Sequence, residues 1–87
     1  MKIHTVYDNP EYTDRYTVYF KGHGSVLTIQ GERQRICLGM SSAPFHPQGI
    51  CLSGSGVVGK HNGNKIKFED LPEDCQKAVN NYLNDDY

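Results

Sequence analysis

The amino-acid sequence predicts a small α+β domain in which an antiparallel sheet is packed by one C-terminal helix. Short stretches of alternating apolar and polar residues recur between residues 2 and 40, as in half-buried strands. The connections between them are short, which favours a meander of about four to five strands. Residues 70–84 instead repeat apolar positions every three or four residues, as a helix does.

Length and charge restrict the organisation of the chain. Its 87 residues, residues 1–87, fit a single domain with a modest core. We expect strands within 2–40, an irregular loop over 41–64, a short strand at 65–68 and a helix over 70–84. The net charge of −1 provides no general field that would attract nucleic acid or anionic lipid.

The clearest strand signal lies at 15–21, where Tyr16, Val18 and Phe20 alternate with polar residues. The sequence Gly22-His23-Gly24 predicts a turn after it. The other predicted strands are 2–8, with Ile3, Thr5 and Tyr7 on one face, then 25–30 and, after a hairpin at 31–33, 35–40.

Residues 41–64 contain Pro44, Pro47 and five glycines, and they have little periodicity. Loops longer than about 12–15 residues are uncommon in compact domains and are often functional. We therefore expect a functional loop. Its apolar residues should pin it partly to the core, and a short strand near 50–52 is compatible with the pattern; these residues are Phe45, Ile50, Leu52, Val57 and Val58.

The C-terminal helix has both a start signal and a core-facing stripe. Asp70 and Glu73 have the spacing of a capping box, and Pro72 suits a first helical turn. The apolar stripe comprises Leu71, Cys75, Ala78, Val79, Tyr82 and Leu83. The three cysteines Cys37, Cys51 and Cys75 are too few and too widely spaced for a disulfide framework, so we interpret them as mostly buried thiols in a reducing compartment.

Two stretches of the second half resemble small proteins encoded by bacteria and their phages that have no established activity. The resemblance lies in the loop sequence PFHPQG at 44–49 and in the pattern IxFxDLPEDCQK at 66–77. It implies a phage or mobile-element setting, in which small single-domain proteins often inhibit host defence proteins by binding them. It implies no catalytic residue.

The first functional hypothesis is therefore a non-enzymatic module that binds a host protein. One candidate surface is the loop at Phe45, His46, Pro47 and Gln48. The other is the acidic C-terminal end, where acidic residues crowd the last nineteen positions; its candidate contacts are Glu73, Asp74, Asp85 and Asp86. An open sheet edge also predicts that a second copy of the chain can bind, forming a homodimer.

Binding of a small anion is an alternative, because residues 54–60 fit the phosphate-loop pattern of two glycines followed by lysine. The candidate residues are Gly54, Gly56, Gly59, Lys60 and His61. His61 stands where a phosphate loop needs Ser or Thr, and a turn into a strand follows in place of a helix. Nucleotide hydrolysis is accordingly disfavoured.

Nucleic-acid binding is a further alternative. Aromatic and basic side chains on one sheet face could stack and neutralise a single strand; the candidates are Arg15, Tyr16, Tyr19, Lys21, Arg33 and Arg35.

An enzyme would require His46, Cys51, Lys60 and His61 to converge in a cleft, with Asp8 or Asp14 orienting a Cys51–His46 pair. Nothing near Cys51 in the sequence activates its thiol. A metal site on Cys37, His46, Cys51 and His61 lacks the close ligand pairs of structural zinc sites, so we expect no metal and no cofactor. With no apolar run of about 20 residues, a cytoplasmic location is expected.

Overall fold

A computed structural model describes residues 2–27, 31 and 33–84. The described strands are β1 (Ile3–Asp8), β2 (Tyr16–Leu27), β3 (Arg33–Met40), β4 (Cys51–Gly56) and β5 (Asn64–Ile66). Two 3-10 helices, Lys60–Asn62 and Phe68–Asp70, precede the C-terminal helix α1 (Glu73–Asn84). The predicted α+β class, with an antiparallel sheet and one C-terminal helix, is confirmed.

The five strands form one open sheet in the order β4-β3-β2-β1-β5, and each neighbouring pair is antiparallel. The first four strands follow one another as a meander, as predicted, but with different members: β2 runs from the strand expected at 15–21 into the one expected at 25–30, and β4 is the fourth strand. The chain then crosses from β4 to the opposite side, where β5 pairs with β1. Strands β4 and β5 are thus the two edges of the sheet.

The main core lies between α1 and one face of the sheet. Alternate residues of β2, namely Tyr16, Val18 and Phe20, face the helix and are buried. From α1, Cys75 and Val79 are fully buried against them, so the predicted apolar stripe of the helix is the face that packs. Phe20 stacks on Tyr82 with ring centroids 5.2 Å apart, which joins the sheet to the helix.

The other sheet face is covered by the loop at 57–63. Tyr7 and Tyr19 point away from α1 and are nevertheless buried, and their rings meet edge to face with centroids 5.8 Å apart. The Tyr19 hydroxyl donates to Asn62 Oδ1 at 2.7 Å, while the backbone N–H of Gly59 donates to the Tyr7 hydroxyl at 3.1 Å. The sheet therefore has a second, smaller core made of aromatic rings and hydrogen bonds.

Strands β1 and β2 differ from the prediction. Glycines 22 and 24 do not form a turn, because β2 continues through them to Leu27 with register irregularities on either side of His23. Ile3 and Tyr7 do not share a face. A register shift between Ile3 and Thr5 breaks the alternation, so Ile3 packs against the main core while Tyr7 faces the loop. Residues 28–30, including Ile29, lie outside the described residues.

The elements before α1 are also shorter than predicted. The strand expected at 65–68 is β5, and Phe68 already belongs to a 3-10 helix. Asp70 does not begin α1, because its Oδ2 accepts from the backbone N–H of Lys67 at 3.1 Å and so closes that 3-10 turn. Helix α1 begins at Glu73, directly after Pro72. None of the helices in the described part of the chain is long and apolar enough to cross a membrane.

Two buried groups with strongly raised pKa values, Tyr19 and Cys75, predict a loss of stability at alkaline pH. Burial raises the pKa of Tyr19 to about 12 and that of Cys75 to about 11, from ordinary values of 10.0 and 9.0. The unfolded chain therefore loses these protons first, so the free energy of unfolding falls as pH rises from 9.0 through about 12. The urea concentration at the midpoint of unfolding, measured across this pH range, checks the prediction. A Cys75→Ala, Tyr19→Phe variant should have a flatter profile, and an equally steep one contradicts the assignment.

Candidate functional site

Strand β4 forms an exposed edge of the sheet. Its residues Cys51–Ser55 are all exposed, and on one side it pairs with β3 from Met40↔Cys51 to Arg35↔Gly56 without a register shift. The sequence here has neither charge nor proline, the features that usually protect an edge strand from further pairing. The described edge is therefore open to another strand.

The hydrogen-bond phase of β4 follows from the residue pair directly before it, Ser41 and Ile50. The N–H of Ser41 donates to Ile50 O at 2.9 Å and the N–H of Ile50 donates to Ser41 Oγ at 3.0 Å, so the facing backbone groups of this pair point toward each other. Alternation then directs the backbone groups of Leu52, Gly54 and Gly56 to β3. The N–H and C=O groups of Cys51, Ser53 and Ser55 point to the open side.

A groove of about 490 Å³ lies beside this edge on the helix side of the sheet. The side chains of Phe45, Cys51 and Ser53 form its outer part, and Leu38, Ala78, Asn81 and Tyr82 form the rest. No lining residue carries a charge. The groove is thus bounded by an edge strand, a helix and an aromatic ring.

A tight turn holds Phe45 at this groove. The N–H of His46 donates to Ala43 O at 3.2 Å, and the N–H of Gly49 donates to His46 O at 2.8 Å. The N–H of Gln48 donates to His46 Nδ1 at 3.1 Å. Pro44 is buried below the turn, while Phe45 is 53% exposed. The proline anchors the turn and the phenyl ring stays accessible.

The opposite face of β4 carries more apolar surface. Leu52 is 69% exposed and lines a shallow groove of about 320 Å³ together with Tyr12, which is 58% exposed. Within the described residues, Tyr12, Phe45 and Leu52 are the large hydrophobic side chains that stay exposed. All three lie beside the open edge. We call β4 with these three side chains the β4 edge surface.

The structure changes the interpretation of the loop at 41–64. The loop contains a six-residue strand, β4, longer than the one considered near 50–52. Phe45 and Leu52 do not pin the loop to the core, because both are exposed. The side chains of His46, Pro47 and Gln48 are exposed as well. Whether this surface binds a partner stays a prediction.

The acidic candidates are only partly described. Glu73 and Asp74 are exposed in the first turn of α1, where carboxylates interact favourably with the helix dipole. Asp85 and Asp86 lie outside the described residues. The first turn of α1 precedes Ala78, which lines the groove, by about one helical turn. Asp74 is four residues before Ala78 and so lies on the same side of the helix, while the exposed Lys77 directly precedes Ala78 in the chain.

The three cysteines have different environments, so the prediction of mostly buried thiols is wrong for one of them. Cys75 is fully buried and its Sγ donates to Ser41 O at 3.2 Å, Cys37 is half-buried, and Cys51 is exposed. Desolvation raises the pKa of the Cys51 thiol. A raised pKa leaves less thiolate near neutral pH, which opposes a nucleophilic role.

The residues considered for an enzyme do not converge. Cys51 lines the groove on the helix side, whereas Lys60 and His61 lie in the 3-10 helix that covers the other face. His46 is engaged in its own turn. Among the described residues, no three His, Cys, Asp or Glu side chains are grouped to hold a metal ion. The catalytic cleft considered from the sequence is not formed.

The glycine-rich stretch is not a phosphate loop. Gly54 and Gly56 lie extended in β4, and only Gly59, Lys60 and His61 belong to the loop over the second face. The residue that organises this loop is Asn62, whose Nδ2 donates to Val57 O at 2.9 Å and to Gly59 O at 3.0 Å. Sequence reasoning missed Asn62. The sequence did contain one signal for a covering residue: Tyr19 is a large aromatic residue on the face of β2 that otherwise carries polar side chains.

The aromatic and basic face considered for nucleic-acid binding is absent from the described sheet. Tyr16 and Tyr19 point to opposite faces, and both are buried. Arg15 donates to Asp8 through Nε at 2.6 Å and Nη2 at 3.0 Å, and Arg35 Nη1 donates to Lys21 O at 3.1 Å. The side chain of Arg33 lies outside the described ones. Neither tyrosine ring is available for base stacking.

These features define a class: a small open-sheet α+β protein with an unprotected edge strand beside an apolar groove. No protein-family model, curated protein or solved structure matches the chain.

Proposed function

We propose that this protein is a non-enzymatic module that binds an extended segment of a partner protein along the β4 edge surface. The observation that carries the proposal is the convergence of Tyr12, Phe45 and Leu52 on an open strand edge. Exposed apolar surface next to unpaired backbone groups favours association over solvation.

The mode of binding that fits this surface is strand addition. The N–H and C=O groups of Cys51, Ser53 and Ser55 would form the backbone hydrogen bonds to the added strand. Alternate side chains of that strand would point to the helix side, into the groove between Phe45 and Tyr82. Backbone pairing supplies affinity, and the groove supplies specificity for the side chains.

The chemistry of the surface also restricts the partner. The uncharged groove selects an apolar side chain, and the exposed carboxylates of Glu73 and Asp74 favour a basic residue nearby. The resemblance to phage-encoded proteins supports a host protein, and in particular a defence protein that this module would inhibit. A host-cell cytoplasmic location belongs to the same proposal.

The test is an affinity capture from a lysate of the native bacterial host with matched variants at Ser53. Ser53→Pro removes an outward N–H without removing a bond to β3, and proline is tolerated at such edge positions. Ser53→Ala removes the hydroxyl but keeps that N–H. We expect the wild type and Ser53→Ala to capture a stoichiometric protein partner, Ser53→Pro to lose it, and Phe45→Ala to retain less of it.

Amide NMR spectra confirm that each variant is folded before capture. Equal capture by folded Ser53→Pro, or no stoichiometric partner for the wild type, would contradict strand addition. A second copy of the chain could occupy the same edge. Light scattering over a wide concentration range measures this homodimer directly, and a constant monomer mass counts against it.

A further inference from the structure

A second concave site lies on the opposite side of the sheet from α1, between the loop at 57–63 and β5. It is an open hollow of about 580 Å³, within the roughly 300–1,000 Å³ typical of small-molecule sites. Its lining contains two lysines and no carboxylate; it is formed by Tyr7, Val58, Gly59, Lys60, Gly63, Asn64 and Lys65. We call it the lysine hollow.

The fold brings the two lysines together from separate elements. Lys65 is the cross-strand partner of Tyr7 in the β1–β5 pair, so the two side chains lie on the same face of the sheet. Lys60 comes from the 3-10 helix of the covering loop. Gly63 closes that loop at φ 113, where a Cβ would lie 2.6 Å from Asp8 O. A side chain at position 63 would therefore displace the wall of the hollow.

The charges of the hollow are not neutralised by neighbouring acids. Within residues 2–27, 31 and 33–84, no salt bridge involves Lys60 or Lys65. Asp8 on β1 is next to Tyr7 in sequence, but its carboxylate accepts both hydrogen bonds from Arg15. Alternation along β1 also directs Asp8 to the other face. Lys60 and Lys65, both exposed, thus line a site whose lining contains no carboxylate.

Tyr7 supplies a third donor. It is only 2% exposed, and its hydroxyl oxygen accepts from the N–H of Gly59. Within the described part of the chain, no hydrogen bond has the Tyr7 hydroxyl as its donor. A buried hydroxyl proton without an acceptor is uncommon, because each unmade hydrogen bond is costly. A ligand oxygen in the hollow would accept this proton.

We propose that the lysine hollow binds a small organic phosphate monoester. Three donor groups, the ammonium groups of Lys60 and Lys65 and the hydroxyl of Tyr7, match the three terminal oxygens of such an anion. Two positive charges match its dianionic form. The organic part would pack on Val58, in the volume that the phosphate leaves free.

The test is an amide NMR titration of the folded protein with phenyl phosphate, inorganic phosphate and phenol, each to about 10 mM. We expect phenyl phosphate to produce saturable shifts at residues 58–60 and 63–65, and phenol to produce none. A Lys60→Gln, Lys65→Gln variant should weaken phenyl phosphate binding at least about tenfold, because both charge-assisted contacts are lost.

The matched control is a Lys67→Gln, Lys77→Gln variant, which changes the net charge equally but lies outside the hollow. It should bind phenyl phosphate as the wild type does. An equal loss in this control, or no saturable shift with phenyl phosphate, would overturn the proposal. Equal affinity for inorganic and phenyl phosphate would overturn the part that concerns the organic group. The β4 edge surface contributes no residue here, so this outcome is independent of protein binding.

Discussion

Replacing Phe20 by Ala should lower the free energy of unfolding by about 3–5 kcal/mol. Phe20 is fully buried at the centre of the main core and stacks on Tyr82 of α1. The substitution removes the transfer free energy of the ring, leaves a cavity and removes the aromatic contact between sheet and helix. Small domains have roughly 5–15 kcal/mol of stability in total, so much of the fold's stability is lost.

Urea unfolding monitored by circular dichroism measures this loss. Tyr12→Ala is the matched control, since it also removes an aromatic ring, but from a side chain that is 58% exposed. We expect the control to change the free energy of unfolding by no more than about 0.5 kcal/mol. Similar losses for both variants would show that the Phe20–Tyr82 contact does not anchor α1 to the sheet.

Replacing Gly49 by Ala should disrupt the turn that presents Phe45. A Cβ on Gly49 would lie 1.9 Å from Ala43 O, so the backbone of the turn must move. We expect a loss of about 1–3 kcal/mol in the free energy of unfolding from this overpacking. Because Phe45 sits within this turn, partner capture should fall as well.

Gly54→Ala is the control for Gly49→Ala. A Cβ on Gly54 has no atom within 4 Å, and this glycine lies in the extended strand β4. Its free energy of unfolding should change by less than about 0.5 kcal/mol. If Gly49→Ala unfolds at the same urea concentration as Gly54→Ala, the turn is adaptable and does not hold Phe45 in place.

The two proposed sites lie on separate surfaces of the molecule. The β4 edge surface combines unpaired backbone groups with the exposed rings of Tyr12 and Phe45. The lysine hollow lies at the far edge of the sheet, beside β5. Ser53→Pro acts on the first surface and the Lys60→Gln, Lys65→Gln variant on the second, so each proposal can fail without the other.

Sequence reasoning predicted the elements that have strong local patterns. Helix α1 was identified because Cys75 and Val79 repeat at helical spacing, and that face is the one that is buried. The core face of β2 was identified because Val18 and Phe20 alternate with polar residues. In both cases the residues whose burial stabilises the element recur at the structural period of that element, so the sequence shows the same period.

The sequence of strand β4 shows no such hydrophobic periodicity. It is exposed on both faces, so its small polar residues and Leu52 are under no alternating burial. For the same reason the sequence could not place Phe45, which was expected to pin the loop and is instead 53% exposed. This edge strand is specified more by its pairing with β3 than by its own amino-acid composition.

The sequence by itself determined the α+β class, the antiparallel sheet and the helix face that packs, because local hydrophobic periodicity and short connections indicate them. Only the tertiary structure decided where the functional groups meet. Tyr19 reaches Asn62 across 43 residues of chain, and Lys65 joins Tyr7 only because β5 returns to the free side of β1. Such contacts depend on chain crossings and strand register, which short-range patterns do not contain.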